Sequence, residues 1–379
     1  MTYRRQVYME NRILFNRGII LDNRYFYNEF LNIFYELLFV KKKKYIILDI
    51  SEIDLIKTEV VPKLCSLAMI AKREGCTIEI IVNPISSVKE FLAELQFFEI
   101  ASSYDLFCID DGQTGGSTKK FNGAKALKCF DKESMLKYYN TLIEFPDDMS
   151  SFDRLKICIK VEILGMENLN YSGYISENMI KDNSICTVLA QFCCKGAEIR
   201  NIEDIDIADI DTKRFFELGS DFVEIIHNSL FYGDGLCFFS VQSGVYKKGA
   251  FKRVNICVAD SGRGLYDTLK NKDWNKKETK TMSLDKFLSL DLKKDQDYYS
   301  ILEMIYYRAG DLDRGVYDVM KDLNRKKNVR VNMCNRDLRV LLKDEDVKEI
   351  VEKNYRKKYM RFDMPTINYG YSVDISFSS

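Results

Sequence analysis

The 379-residue sequence predicts a two-part α/β protein. In the first third of the chain, short apolar strands alternate with segments of helical character. Further on, a helical segment around residue 220 leads to an apolar strand that ends in an aspartate and a glycine turn. Apolar residues make up 46% of the chain and charged residues 30%, a composition that suffices for two buried cores. We therefore expect an amino-terminal α/β domain at 1–110 and a second α/β domain at 153–379.

The amino-terminal part alternates strands and helices. Apolar strands are predicted at Tyr45 to Ile50 and at Thr77 to Val82. A helix follows each strand, from about Glu59 to Glu74 and from about Ser86 to Leu95. The order strand, helix, strand, helix predicts a parallel βαβ arrangement.

Asp49 and Ser51 follow the first of these strands as Asp-x-Ser, and Thr58 lies near the start of the next helix. The stretch 12–110 is similar to the STAS fold of anti-sigma-factor antagonists. Those proteins carry the same Asp-x-Ser and a phosphorylatable Ser at the start of the following helix. The resemblance implies that Thr58 is a phospho-acceptor, although Lys57 stands where those proteins usually have an Asp. The alternative, which we favour, is that Thr58 is a helix N-cap.

The middle of the chain is interpreted as a connecting segment at 111–152. It begins with the polar, glycine-rich stretch DDGQTGGSTKKFNG and ends near IEFPDDMSSFD. Beyond it, LKICIKVEIL is predicted to be a strand.

Glu224 and Asn228 stand four residues apart in a predicted helix from about Phe215 to Leu230. At that spacing the two side chains share one face of the helix. The amide oxygen of Asn228 suits Mg²⁺, which prefers oxygen ligands and usually also binds waters and phosphates. A carboxylate at Glu224 can orient or deprotonate a water near a terminal phosphate.

Asp260 ends the predicted strand Val254 to Ala259, and Gly262 and Gly264 follow it. Glycine at these positions lets the backbone turn sharply and lets a ligand approach closely.

Together and in this order, the two motifs resemble the N box and the first Gly box of the GHKL ATP-binding family. That family includes gyrase, heat-shock-90-type chaperones, histidine kinases and MutL. The resemblance covers 211–377 and implies a mixed sheet backed by helices, with ATP and Mg²⁺ as cofactors. It implies that Asp260 accepts a hydrogen bond from the adenine amino group, with Gly262 and Gly264 beside it, that Asn228 is the metal ligand and that Glu224 is catalytic.

The resemblance also places Arg314 and Gly315 at the second Gly box, after a mobile lid. The next glycine of that pattern is absent, because Val316, Tyr317 and Asp318 occupy its place.

Three functions are compatible with these residues. The first is a slow ATPase whose nucleotide drives a conformational switch on a protein partner. The second is a serine/threonine kinase of the anti-sigma partner-switching type, and the third is a nucleotide-sensing module without turnover. A homodimer is left open. A conventional histidine autokinase is not expected, because His227 is the only histidine and lies within the N-box helix.

Bulk composition limits the location and the partners of the protein. The formal net charge is zero, which argues against nucleic-acid binding by bulk electrostatics. The eleven cysteines contain no C-x-x-C pair, the first residues lack the apolar core of a signal peptide, and no apolar run has transmembrane length. We therefore expect a cytoplasmic protein that does not interact with membranes.

Overall fold

The computed structural model describes residues 8–110, 124–165, 174–195, 205–233, 235–246, 251–262, 264–265, 293–306, 316–336, 338–352, 359–364 and 370–378. The chain divides into two compact units, Met1–Phe121 with Met364–Ile367 and Asn122–Asp363 with Asn368–Ser379. Helices and sheets occur in both units, so the predicted α/β class is confirmed. None of the helices in the described residues combines the length and the apolar character that crossing a bilayer requires.

The first unit is built around a five-stranded sheet in the order β1-β2-β4-β6-β7, and β3 pairs with β5. The strands are β1 (Tyr8–Met9), β2 (Arg12–Leu14), β3 (Ile20–Leu21), β4 (Tyr45–Asp49), β5 (Leu55–Ile56), β6 (Thr77–Ile81) and β7 (Cys108–Asp110). Strand β2 runs parallel to β4, β4 to β6 and β6 to β7. The predicted parallel arrangement is confirmed.

Helices connect these strands at the positions that local sequence signals indicate. They are α1 (Asn23–Tyr25), α2 (Leu31–Tyr35), α3 (Val61–Arg73), α4 (Ser87–Glu94) and α5 (Phe97–Ser103). Pro62 lies in the first turn of α3, where its missing N–H costs no helical hydrogen bond, and Gly75 follows the helix with a φ of 69°. Ser86 caps α4 by accepting a hydrogen bond from the backbone N–H of Lys89 at 3.2 Å.

Thr58 is not the N-cap of α3. It begins a 3₁₀ helix, Thr58–Val60, whose cap residue is Lys57, and the α-helix begins only at Val61. The side chain of Thr58 is 1% exposed. An N-cap signal read from sequence alone does not distinguish a 3₁₀ turn at a helix start from the α-helix itself.

The second unit contains a seven-stranded sheet in the order β13-β12-β11-β14-β10-β9-β8, in which every neighbouring pair is antiparallel. The expectation of a mixed sheet in this unit is therefore wrong for the described strands. The strands are β8 (Lys125–Asp131), β9 (Leu236–Tyr246), β10 (Phe251–Asp260), β11 (Lys327–Asn335), β12 (Leu338–Lys343), β13 (Met360–Asp363) and β14 (Tyr371–Ser378). On β10 and β14, alternate residues such as Ile256, Val258, Val373 and Ile375 are buried in one apolar core.

Helices supply the other side of this core. They are α6 (Lys132–Tyr139), α7 (Ser151–Leu164), α8 (Glu177–Asp182), α9 (Ser184–Cys193), α10 (Thr212–Tyr232), α11 (Lys293–Tyr306), α12 (Val316–Leu323) and α13 (Asp344–Val351). Fully buried aromatic residues such as Phe192, Phe222 and Phe239 join α9 and α10 to the sheet.

The segment LKICIKVEIL is a helix and not the predicted strand. Its apolar residues alternate in sequence, but the buried positions Leu155, Cys158 and Ile159 follow helical spacing. Ser150 caps this helix, α7, by accepting a hydrogen bond from the backbone N–H of Asp153 at 3.1 Å. Packing against α10 and an N-cap therefore override a strand-like local pattern.

The predicted connecting segment 111–152 is also wrong from Ala124 onwards, because the second unit includes this part of the chain. Lys125–Asp131 pairs with β9 along its whole length and buries Ala126, Leu127 and Phe130. Residues 111–123, which contain most of the glycine-rich stretch, lie outside the described residues.

Candidate functional site

Helix α10 carries the first predicted motif. The predicted helix from Phe215 to Leu230 is confirmed and extends from Thr212 to Tyr232. Asp211 caps it by accepting a hydrogen bond from the backbone N–H of Arg214 at 3.1 Å. Its buried apolar residues fix the rotation of the helix against the sheet, which determines where its polar residues lie.

Glu224 and Asn228 share one face of α10, as their spacing predicts. Nδ2 of Asn228 donates a hydrogen bond to Oε1 of Glu224 at 3.0 Å. The residue Glu224 is 3% exposed, whereas Asn228 is half-buried. Because the amide nitrogen of Asn228 is bound to Glu224, its carbonyl oxygen is the atom with which this side chain can bind a cation.

A lysine that the sequence analysis did not single out completes this group. Nζ of Lys156, on α7, lies 3.2 Å from Oε2 of Glu224. A buried carboxylate needs a cation or several hydrogen bonds to offset the loss of its hydration, and Lys156 supplies the cation. The predicted strand around Lys156 would have placed its side chain differently, so no local signal connects it with Glu224.

Asp260 lies at the end of β10 and is 3% exposed. Its Oδ2 accepts a hydrogen bond from Oγ of Ser229 at 2.7 Å, and its Oδ1 accepts one from the backbone N–H of Gly262 at 2.9 Å. Since Ser229 follows Asn228 directly on α10, the structure brings the two sequence motifs together. Ser229 was also missed by the sequence analysis.

The neighbours of Asp260 in the sheet stay uncharged. Strand pairing places Cys237 of β9 and Tyr371 of β14 opposite it. Burial raises the pKa of Tyr371 well above its usual value, and the nearby Asp260 raises it further. Burial likewise raises the pKa of the Cys237 thiol. Asp260 therefore has no second charged side chain paired opposite it on β9 or β14.

The glycine turn after Asp260 is held by backbone contacts. The N–H of Gly370 donates to the carbonyl of Gly262 at 2.8 Å. Gly264 has a φ of 84°, and a Cβ built on it would lie 2.8 Å from Oδ1 of Asn335. That same oxygen accepts a hydrogen bond from the backbone N–H of Leu265 at 3.0 Å. Glycine is required at 264 both for its backbone conformation and for the close approach of the fully buried Asn335.

Arg314 and Gly315, predicted at the second Gly box, lie outside the described residues. The positions that replace the expected glycine begin α12. Tyr317, in its first turn, donates a hydrogen bond from its hydroxyl to the carbonyl of Val351 at 3.1 Å.

His227 lies on α10 between Glu224 and Asn228 but is fully buried. Its Nε2 lies 3.0 Å from the carbonyl of Phe152, and burial lowers the pKa of the imidazole to about 4. A neutral, buried imidazole that bonds a backbone carbonyl is suited to packing and not to accepting a phosphoryl group. His227 is therefore not accessible to a phosphate donor in this conformation.

Within the described residues, no three His, Cys, Asp or Glu side chains are grouped so that they could hold a metal ion by themselves. A magnesium ion bound by one amide oxygen, phosphates and water does not need such a group. Comparisons of the chain with protein-family models, with curated proteins and with solved structures each give no match.

Proposed function

We propose that the second unit binds ATP with Mg²⁺ and hydrolyses it slowly, and that the bound nucleotide acts as a conformational switch on a protein partner. The observation that carries this proposal is the hydrogen bond between Ser229 and Asp260. It joins the helix that bears Glu224 and Asn228 to the strand end that bears the glycine turn. The order of elements, helix then hairpin then glycine turn, agrees with the resemblance to the GHKL family.

The residues around Asp260 fit an adenine base. The carboxylate accepts hydrogen bonds from Ser229 and from the backbone of Gly262, and a carboxylate oxygen can accept more than one hydrogen bond. A Cβ at Gly233 would lie 3.2 Å from Cγ of Asp260, so glycine at 233 lets the end of α10 approach the carboxylate closely. In the proposal, Asp260 accepts a hydrogen bond from the adenine amino group. The turn at Gly262 and Gly264 lies beside the bound nucleotide.

The pair Glu224 and Asn228 fits the phosphate end. The amide of Asn228 is fixed by its bond to Glu224, which leaves its oxygen for Mg²⁺. Bound Mg²⁺ would neutralise the phosphate charge. In the proposal, Glu224 orients the attacking water and accepts its proton on the carboxylate.

The nucleotide-sensing alternative has an observation in its favour. The residues in place of the expected glycine are part of α12, and Val316, Tyr317, Val319 and Met320 are buried. A buried segment at the start of a helix is poorly suited to surround the phosphates as a flexible glycine loop does. Turnover is therefore expected to be slow, and complete absence of turnover would favour a module that only senses the nucleotide.

The kinase alternative has less support from the chain itself. Thr58, its candidate acceptor, is 1% exposed and so is not accessible to a phosphate donor in this conformation. Transfer to a separate partner protein is distinguished by incubation with ATP labelled on the terminal phosphate.

Calorimetry with ATP tests the proposal. Asp260→Asn is expected to weaken binding by roughly tenfold to a hundredfold, because a hydrogen bond to a charged group contributes about 1.5–3 kcal/mol. Asp105→Asn, at a carboxylate that is 89% exposed in the first unit, is the control and is expected to bind as the wild type does. Unchanged affinity in Asp260→Asn would remove Asp260 from the site, and a wild-type protein that binds no nucleotide would overturn the proposal.

A further inference from the structure

Helices α7 and α10 are held together at both ends of their contact. Near one end, the ring of Phe152 lies 4.1 Å from that of His227, and the Phe152 carbonyl bonds the imidazole. Near the other end, a Cβ at Gly219 would lie 2.5 Å from Cδ2 of Leu164, so the helices approach as closely as glycine allows. From the first contact to the second, the residue numbers rise along α7 and fall along α10, so the two helices run antiparallel.

Lys156 lies between these two contacts and faces Glu224. The backbone of Lys156 is therefore fixed relative to the site, while four single bonds allow its ammonium group to move. The two partners are unequally exposed: the side chain of Lys156 is 26% exposed and that of Glu224 is 4% exposed. The ammonium is thus the member of the pair that a ligand arriving from solvent can reach.

We propose that Lys156 binds the terminal phosphate of the nucleotide, exchanging its ion pair with Glu224 for one with the phosphate. The inference rests on the proposed nucleotide site. Asn228, proposed to face the metal and the phosphates, is bonded to the same carboxylate as Lys156, so both groups act at one end of the site.

Charge explains the direction of this exchange. A terminal phosphate carries more negative charge than one carboxylate and offers three acceptor oxygens, so an ammonium group binds it more strongly. When Lys156 turns to the phosphate, Oε2 of Glu224 loses its contact with this ammonium group, and the carboxylate then accepts a proton from water more readily. The ion pair between Lys156 and Glu224 is thereby broken only when a third phosphate is present. ADP lacks that phosphate and leaves the ion pair in place.

The affinities for ATP and ADP test the inference, measured with Mg²⁺ on the full chain. The wild type is expected to prefer ATP, and Lys156→Met is expected to lower its affinity for ATP by about tenfold or more while leaving that for ADP nearly unchanged. Lys213→Met, at an 86% exposed lysine near the start of α10, is the matched control and keeps the preference. Lys156→Arg retains a cation and is expected to restore most of the affinity for ATP.

Lys156→Met removes the ion pair between Lys156 and the buried Glu224 and is expected to lose stability. The double variant with Glu224→Gln removes that charge and keeps the test valid if the single variant does not fold. Glu224→Gln alone removes the ion pair that competes with the phosphate for Lys156 and is expected to bind ATP about threefold more tightly than the wild type. Adding Lys156→Met to it abolishes this gain.

The outcomes separate the two ideas. An unchanged preference for ATP in Lys156→Met or in the double variant overturns the role of Lys156, and nucleotide binding by the wild type would then still support the site. Equal affinity of the wild type for ATP and ADP also overturns it. A wild type that binds neither nucleotide overturns both proposals.

Discussion

The hydroxyl of Ser229 donates a hydrogen bond of 2.7 Å to Oδ2 of Asp260, both groups being buried. The bond connects α10 to the end of β10. Because Ser229 follows Asn228 in the chain, any shift of Asp260 relative to α10 changes the distance between the proposed base-binding and phosphate-binding residues. The geometry of the site therefore depends on this contact.

Ser229→Ala is expected to reduce the free energy of unfolding by about 1–3 kcal/mol, because it removes a donor from a buried charged acceptor. Chemical denaturation measures the loss. Ser300→Ala is the control: that buried hydroxyl donates only to the carbonyl of Gln296 in its own helix at 2.7 Å, so its removal should cost less. Equal losses in the two variants would show that the Ser229–Asp260 hydrogen bond stabilises the fold no more than the hydrogen bond of Ser300 within its own helix.

Asn228→Ala is expected to remove most of the Mg²⁺-dependent part of ATP binding, since it deletes the amide oxygen proposed to bind the metal. Affinity measured in the presence of a chelator should change little. Asn140→Ala, at an exposed residue after α6, serves as the control. If magnesium strengthens ATP binding equally in the variant and the wild type, Asn228 is not the metal ligand.

Glu224→Gln is expected to slow phosphate release by roughly a hundredfold or more while ATP remains bound, the scale of losing a general base. Glutamine keeps the size of the side chain and an acceptor for Asn228, so the fold is disturbed less than by alanine. Phosphate release and ATP binding are measured in parallel, with Glu217→Gln on the same helix as the control. A fall in turnover that only matches a fall in stability would make Glu224 a structural residue.

Asp49 gives the first unit a predictable dependence on pH. Burial opposes its ionisation, but hydrogen bonds from Ser51 and Arg12 outweigh burial and lower the pKa of Asp49 below 3.8. An acid with a lowered pKa stabilises the fold above its unfolded pKa, and that contribution disappears as the pH falls through the lower, folded value.

Asp49→Asn is therefore expected to reduce the free energy of unfolding by about 1–2 kcal/mol at pH 7. This loss is small for hydrogen bonds to a charged group, because Arg12 is partly exposed and water screens its charge. The difference from the wild type should shrink below about pH 4. Urea unfolding at pH 7 and at pH 3 measures it. A difference that is the same at both values would show that ionised Asp49 does not stabilise the unit.

The sequence was sufficient for elements whose patterns match their burial. Strands β4, β6 and β10 are apolar segments, and α10 has a helical apolar face, so their positions follow from periodicity. The sequence pattern was misleading for α7, because its apolar residues Ile157, Ile159, Val161 and Ile163 stand at every second position, as in a strand. The capping by Ser150 and the packing against α10 decide the outcome, and the second of these is not encoded locally.

The candidate site shows the same limit. Glu224, Asn228 and Asp260 could be selected because spacing and a glycine turn mark them. Ser229, Lys156 and Asn335 could not, because their contacts join residues far apart in the chain: 31 positions separate Ser229 from Asp260, and 70 separate Leu265 from Asn335. Contacts of this kind follow from tertiary packing, which a single sequence does not display.

Strand β8 determines where the chain can be cut to isolate the second unit. A fragment that begins at residue 153 lacks Lys125–Asp131 and leaves the backbone N–H and C=O groups along one side of β9 without their partners. An open edge of that length invites pairing between copies and precipitation. A fragment that begins at Asn122 retains β8 and is the better starting point for expressing the proposed nucleotide site alone.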